Sequence, residues 1–281
     1  MNKKPVHNFH IPVMGLAYTI DSPIRVAQFG ISSVVSIIDD EIVERMRDFY
    51  SKKFNFDFKA ISIKSEDHRA ERITAYLDMM DDIVTKKFKN FKEEISKNTE
   101  TLKQFIGMLP STSGLKDGLQ NILNKKDNLT ESIKNFIDHN FNPGEIDVNI
   151  MTKVDKDNFI KNVQLPTIYN DAHASLRGFA NSKLSSSVIF SAGMNPRLYS
   201  YLEEFEDFFP NENGELKKKI ILKVSDFRSA MIQGNFLAKK GLWVSEYRIE
   251  SGLNCGGHAF ATDGLLMLSL IHISEPTRPR L

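Results

Sequence analysis

Apolar and polar positions alternate in two distinct rhythms along this chain. Six short runs are rich in β-branched and aliphatic residues: Ile11–Ala17 (IPVMGLA), Ile31–Ile38 (ISSVVSII), Ile146–Met151 (IDVNIM), Ser187–Ala192 (SVIFSA), Lys219–Val224 (KIILKV) and Leu242–Ile249 (LWVSEYRI). Their length and composition predict strands, and the nearly unbroken ISSVVSII has the character of a strand covered on both faces, as in a parallel sheet. Between them the rhythm changes to helical. Ser22–Phe29, with Pro23 in its first turn and Gly30 closing it, makes a helix between strands one and two. Asn170–Lys183, Pro196–Phe209 and Arg228–Lys239 separate the last four strands in the same way.

Strand two and strand three are separated by a long excursion, residues 39–144. Within it Ile73, Leu77, Met80, Val84, Phe88, Phe91 and Ile95 recur at steps of three and four, so they form one apolar stripe on a long helix. Leu129, Ile133, Phe136 and Ile137 repeat the pattern on a shorter helix, and the turn-rich LPSTSGLKDG (109–118) separates the two. The excursion is predicted to be a helical insertion whose stripe is either internal packing or a seam for a homodimer or another partner. Rising from the loop after strand two, it is also placed to act as a lid.

Alternating strands and helices predict an α/β fold with a parallel sheet. No GxGxxG fingerprint follows strand one, where Gly15, Leu16, Ala17 and Tyr18 stand instead. The reading is therefore a (β/α)8 TIM barrel truncated after about six strands, with the insertion after strand two. Residues 1–38 form the first part of the barrel, 39–144 the insertion and 145–267 strands three to six. The tail, 268–281, begins LSLIHISEPTR, which resembles a translated sequencing adaptor. It is set aside as non-native, and the gene is expected to be cut short near Met267.

Composition narrows the function classes. Lys and Arg total 37 against 36 Asp and Glu, and without Glu275, Arg278 and Arg280 of the tail the charges balance. No global field favours nucleic acid or an anionic membrane. Cys255 is the single cysteine, which excludes an internal disulfide framework and suits a reducing cytoplasm. The N-terminal MNKKPVHNFHIPVMG lacks the apolar segment of a signal peptide. His7 and His10 lie close together but lack a third convergent ligand for a metal.

In a barrel the reactive groups stand at the C-terminal ends of the strands. That places Met14 and Gly15 after strand one, Asn149 and Lys153 at the end of strand three, Lys223 on strand five, and Cys255, Gly256, Gly257 and His258 beyond strand six. Glycines in GLNCGGHAF permit close approach of backbone to a ligand, and His258 can move a proton near neutral pH. Lys223 can hold negative charge on a reduced ring or a substrate oxyanion. Cys255 is either a reactive thiol lowered in pKa by the nearby imidazole or a small packing residue.

These segments resemble the nitronate monooxygenase family of flavin-dependent barrels, once called 2-nitropropane dioxygenases. IPVMG, the short helix and ISSVVSI resemble the family's opening, VNIM its third strand, ILKVS its lysine-bearing strand, and CGGH its "EAGGH" loop. The likeness spans residues 9–38 and 146–260 and omits the insertion. It implies an FMN-dependent oxidoreductase of the nitronate monooxygenase or enoyl-reductase type acting on a small-molecule or acyl-chain substrate. Met14 and Gly15 would lie under the flavin, Asn149 and Lys223 would bond its ring, Gly256 and Gly257 would line the cofactor loop, and His258 would act as catalytic base or proton donor beside Cys255. Asn254 and Cys255 depart from the family's Glu and Ala. The resemblance also implies that glycine loops after strands seven and eight hold the phosphate, so the 281-residue chain is expected to bind FMN poorly and to be inactive as written. Two readings stand beside this one: a phosphate-substrate aldolase or isomerase using Lys223, and a non-enzymatic protein that binds a partner through the insertion.

Overall fold

The computed structural model describes residues 6–7, 9–14, 19–37, 39–125, 129–191 and 193–249. Six parallel strands run in the order β1 (His10–Ile11), β2 (Ser32–Ile37), β3 (Ile146–Met151), β6 (Ser187–Ser191), β7 (Lys219–Val224) and β8 (Val244–Ile249). Each strand lies beside the one that precedes it in this sheet, so the chain winds in one direction only. The sheet curls into a half-barrel. The remaining two strands, β4 (Phe159–Ile160) and β5 (Val163–Gln164), make a small antiparallel hairpin in the loop after β3. Its two turn residues, Lys161 and Asn162, have positive φ (49° and 63°), as a tight two-residue turn requires.

β3 and β7 occupy the ranges their apolar runs predict, because both are buried along nearly their whole length. β1 is shorter than predicted, ending at Ile11. Pro12, which has no N–H to give to the ladder, follows immediately. After it, α1 (Ser22–Val26) and a 3₁₀ turn end on Gly30, whose φ of 78° lets its N–H return to the Ala27 carbonyl. α7 (Asp171–Asn181) and α9 (Phe227–Ala238) match their predicted helices closely. The helix expected over 196–209 is instead the short α8 (Pro196–Tyr201) followed by two 3₁₀ turns. Buried Leu202 and Phe208 turn toward the core there while the acidic residues between them remain outside it.

Five helices fill residues 40–140: α2 (Asp40–Phe54), α3 (His68–Lys97), α4 (Thr99–Met108), α5 (Gly114–Lys125) and α6 (Leu129–Asn140). The long stripe is buried and divides between two cores. Ile73, Tyr76, Leu77, Met80, Ile83 and Val84 join the main core with the sheet's outer face and α7. Phe88, Phe91 and Ile95 enter a second core with Leu102, Phe105, Ile133, Ile137 and Phe141. Leu77 is fully buried, so changing it perturbs packing directly. No helix among the described residues is long and apolar enough to cross a membrane.

Candidate functional site

Strand alternation separates two faces of the sheet. Val35, Ile37, Val148, Ile150, Val188 and Phe190 point outward into the main core beneath the helices. The inward, concave face is largely polar: Ser36, Asp147, Asn149, Ser187, Ser191 and Lys223 alternate with those residues. A small apolar cluster of Val34, Ile189 and Ile221, with Val13 against it, sits among them. Arg248 on β8 reaches Asp147 on β3 across two intervening strands, 3.5 Å from nitrogen to oxygen. That contact follows from the curl of the sheet.

Of the sequence candidates, Asn149 and Lys223 face this concave side. Asn149 is buried in β3, opposite Ser36 of β2 in the ladder, and donates from Nδ2 to Ser36 Oγ at 3.2 Å. Its Oδ1 is buried and has no hydrogen-bond partner among the described residues. A buried amide oxygen left without a donor costs about 1–3 kcal/mol; Asp21 Oδ1, Ser33 Oγ and Asn170 Oδ1 are in the same position among the described residues. Asn149 is opposite Ile189, which is opposite Ile221; Lys223 follows Ile221 by two residues toward the C-terminal end of β7. The two polar groups therefore share one face on strands separated by β6, offset by one inward step. Met14 lies past the C-terminal end of β1, with its side chain 57% exposed and its N–H given to Thr19 Oγ1 at 3.1 Å. Gly15, Cys255, Gly256, Gly257 and His258 lie outside the described residues.

Around the same C-terminal rim, Thr152 Oγ1 donates to the carbonyl oxygens of Ser191 and Gly193, at 2.9 and 2.5 Å, and Asn195 Nδ2 donates to the Thr152 carbonyl. Gly193 has φ of 98°, and a Cβ there would meet Lys153 Cε at 3.1 Å. The rim is thus closely tied together where β3 and β6 end. The N-terminal part of α3 is anchored to it by ion pairs: Arg72 to Asp40 (2.7 Å) at the start of α2, and Arg69 to Asp171 (2.9 Å) at the start of α7.

The concave face also carries groups that the motif reading missed. Asp147 is almost wholly buried, and burial pushes its carboxyl up to about 6 despite the opposing pull of Arg248 and the Ser187 N–H. With Arg248, Lys219, Glu145, Glu246 and Trp243 it lines a cleft of about 470 Å³. That cleft opens at the N-terminal ends of the strands, opposite the rim where Met14 stands, and neither Asn149 nor Lys223 lines it. In parallel α/β sheets ligands generally sit at the other end, beyond the carboxyl ends of the strands. Period-two reading of IDVNIM does carry the missing signal: Ile146, Val148 and Ile150 share one face, so Asp147 and Asn149 must share the other.

Two buried histidines are structural. His173 Nδ1 lies 3.0 Å from Asp155 Oδ2, while Asp155 Oδ1 accepts the Ala172 N–H, pinning the loop after β3 to the first turn of α7. His7 Nε2 lies 3.2 Å from the Phe29 carbonyl, and burial lowers its pKa.

No family model, no curated protein and no solved structure matches the chain.

Proposed function

We propose that the protein is an FMN-dependent oxidoreductase built on a (β/α)8 barrel, with the flavin held at the C-terminal rim of the concave face. The observation that carries this reading is the unpartnered, buried Oδ1 of Asn149 on the same polar face as Lys223. The singly wound order of six parallel strands supports the barrel, since each further βα unit would add beside β8 in the same sense.

The residues present fit a flavin ring. Asn149 Oδ1 would accept a ring N–H, with Nδ2 remaining on Ser36 Oγ to hold the amide in place. Lys223, on the same face, would supply the positive charge that stabilises a reduced ring or a substrate oxygen. Met14, exposed beyond β1, offers a flat-lying apolar surface. FMN, when bound, supplies the electron transfer; the protein supplies position, charge and exclusion of water. His258 and Cys255 belong to this reading through the family resemblance alone.

The test is to express the chain, extended to the eight βα units the proposed barrel requires, in cells supplied with FMN and record the visible spectrum of the purified protein. The reading requires a flavin spectrum that stays with the protein through gel filtration. Colourless protein that also fails to quench added FMN would sink it.

A further inference from the structure

We propose that the loop after β3 docks this protein on an anionic phospholipid surface, with the tip of the β4–β5 hairpin entering the lipid layer end on. The hairpin stands on a fixed base. Asp155 accepts the Ala172 N–H and holds His173 at 3.0 Å, Asp157 accepts from Asn170 Nδ2 at 2.9 Å, and the Asp171 N–H returns to the Lys156 carbonyl. Arg69 of α3 closes the same base, donating to the carbonyls of Lys156 and Tyr169 at 3.1 and 3.3 Å. A tip held this firmly meets a surface without first paying the entropy of ordering a loop.

The tip is apolar on both sides. Phe159 is 55% exposed and Val163 66%, with Val154 and Ile168 also exposed nearer the base. Phe159 stands opposite Gln164 in the ladder and Ile160 opposite Val163, so Phe159 projects from one face of the hairpin and Val163 from the other. A flat protein surface laid against either face would cover only one of them. A lipid layer entered from the tip covers both, and this favours a bilayer over a second protein. The loop is also remote from the open end of the sheet: β8 lies three strands from β3, and further βα units of the proposed barrel add beside β8, across the barrel from this loop.

The charges give the sign of the surface. Both carboxylates of residues 152–170, Asp155 and Asp157, are engaged in the base. Its three lysines, Lys153, Lys156 and Lys161, are exposed and make no ion pair among the described residues. Lys161 belongs to the two-residue turn itself. A lysine beside an apolar tip lays its stem along the hydrocarbon and keeps its ammonium at the level of the lipid phosphates. Because the charge of the whole chain is close to balance, 37 basic against 36 acidic residues, the attraction is local to this loop and sensitive to salt.

Co-sedimentation of the 281-residue chain with vesicles tests the proposal, comparing phosphatidylcholine alone with phosphatidylcholine containing roughly 30% phosphatidylserine. Binding at least about tenfold tighter to the anionic vesicles is expected, falling away in about 0.5 M NaCl as the charges are screened. One lysine near such a surface adds about fivefold in affinity at low salt, so Lys153→Glu combined with Lys161→Glu should weaken binding at least about twentyfold. Phe159→Ser combined with Val163→Ser should weaken it about tenfold, by removing the part that enters the hydrocarbon. All four positions are exposed, so the melting midpoint of each double variant should stay at that of wild type. Phe159→Trp locates the contact: the added indole should shift its emission to shorter wavelength with anionic vesicles, while the parent chain, whose single tryptophan is Trp243, should not. Equal affinity for the two kinds of vesicle, or an unshifted indole, would overturn the proposal. Binding kept in full by the double serine variant would also overturn it, because the loop would then be a site for a polyanion such as a nucleic acid or an acidic protein.

Discussion

Lys218 stands at the entrance to β7, the strand that carries Lys223, and is completely buried. Its ammonium donates to the carbonyls of Phe179 (2.7 Å), Ser182 (2.9 Å) and Leu184 (2.9 Å), and sits 4.3 Å from the centroid of the Phe179 ring. One cation thereby satisfies the C-terminal carbonyls of α7 and fixes the turn into β6. Burial lowers its pKa to about 8. In Lys218→Met the Phe179 carbonyl keeps the Ser182 N–H and hydroxyl, but the Ser182 and Leu184 carbonyls lose this donor. Two buried acceptors left open cost about 1–3 kcal/mol each, about 4 kcal/mol together, while relief from burying a charge returns about 3 kcal/mol, leaving a net loss of about 1 kcal/mol near neutral pH. The pH dependence separates this from a simple packing defect. A lysine with a folded pKa below its unfolded value of about 10.4 binds fewer protons folded than unfolded across that window, so wild-type stability rises with pH there. The gap between wild type and Lys218→Met should widen by about 2 kcal/mol between pH 8 and pH 10. Urea melts at intervals across that range measure it. Equal stabilities near pH 7, or a gap that does not change with pH, would refute the reasoning.

Asp147 gives the opposite slope. Its raised pKa of about 6 means the folded protein holds the proton longer than the unfolded chain, so stability falls as pH rises from about 4 to about 6. Asp147→Asn should remove that slope in urea melts, and a slope equal to wild type would show that the carboxyl is not the group responsible. Gly144 lies where β2 and β3 begin; a Cβ there would fall 2.0 Å from the Ile31 carbonyl oxygen. Gly144→Ala should therefore cost about 3 kcal/mol or more, because backbone has to move to admit it, and a midpoint unchanged in denaturant would contradict the packing described.

β2, β3, β6 and β7 could be read because parallel strands buried on both faces keep their β-branched and aliphatic residues close together, whereas β8 (VSEYRI) is mostly exposed and carries Glu246 and Arg248. The end of β1 was written in Pro12. The division of the α3 stripe was not legible. Ile73 to Ile95 has one helical period throughout, and only tertiary packing decides that Val84 joins the sheet's core while Phe88 turns to the second one. Asn149 and Lys223 could be placed from strand position, and the structure puts both on the concave side. The charged group around Asp147 and Arg248 was harder, because it joins residues 101 apart that no local spacing connects.

The most direct test of the proposed flavin site is a titration of FMN against the chain extended to the proposed full barrel, followed by fluorescence quenching, for wild type and for Asn149→Ala and Lys223→Met. The account predicts that Asn149→Ala weakens FMN binding about tenfold, the value of one buried hydrogen bond, with the melting transition kept. Lys223→Met should weaken the reduced flavin more than the oxidised one, because only the reduced ring carries the charge. FMN affinity unchanged in both variants would contradict the site.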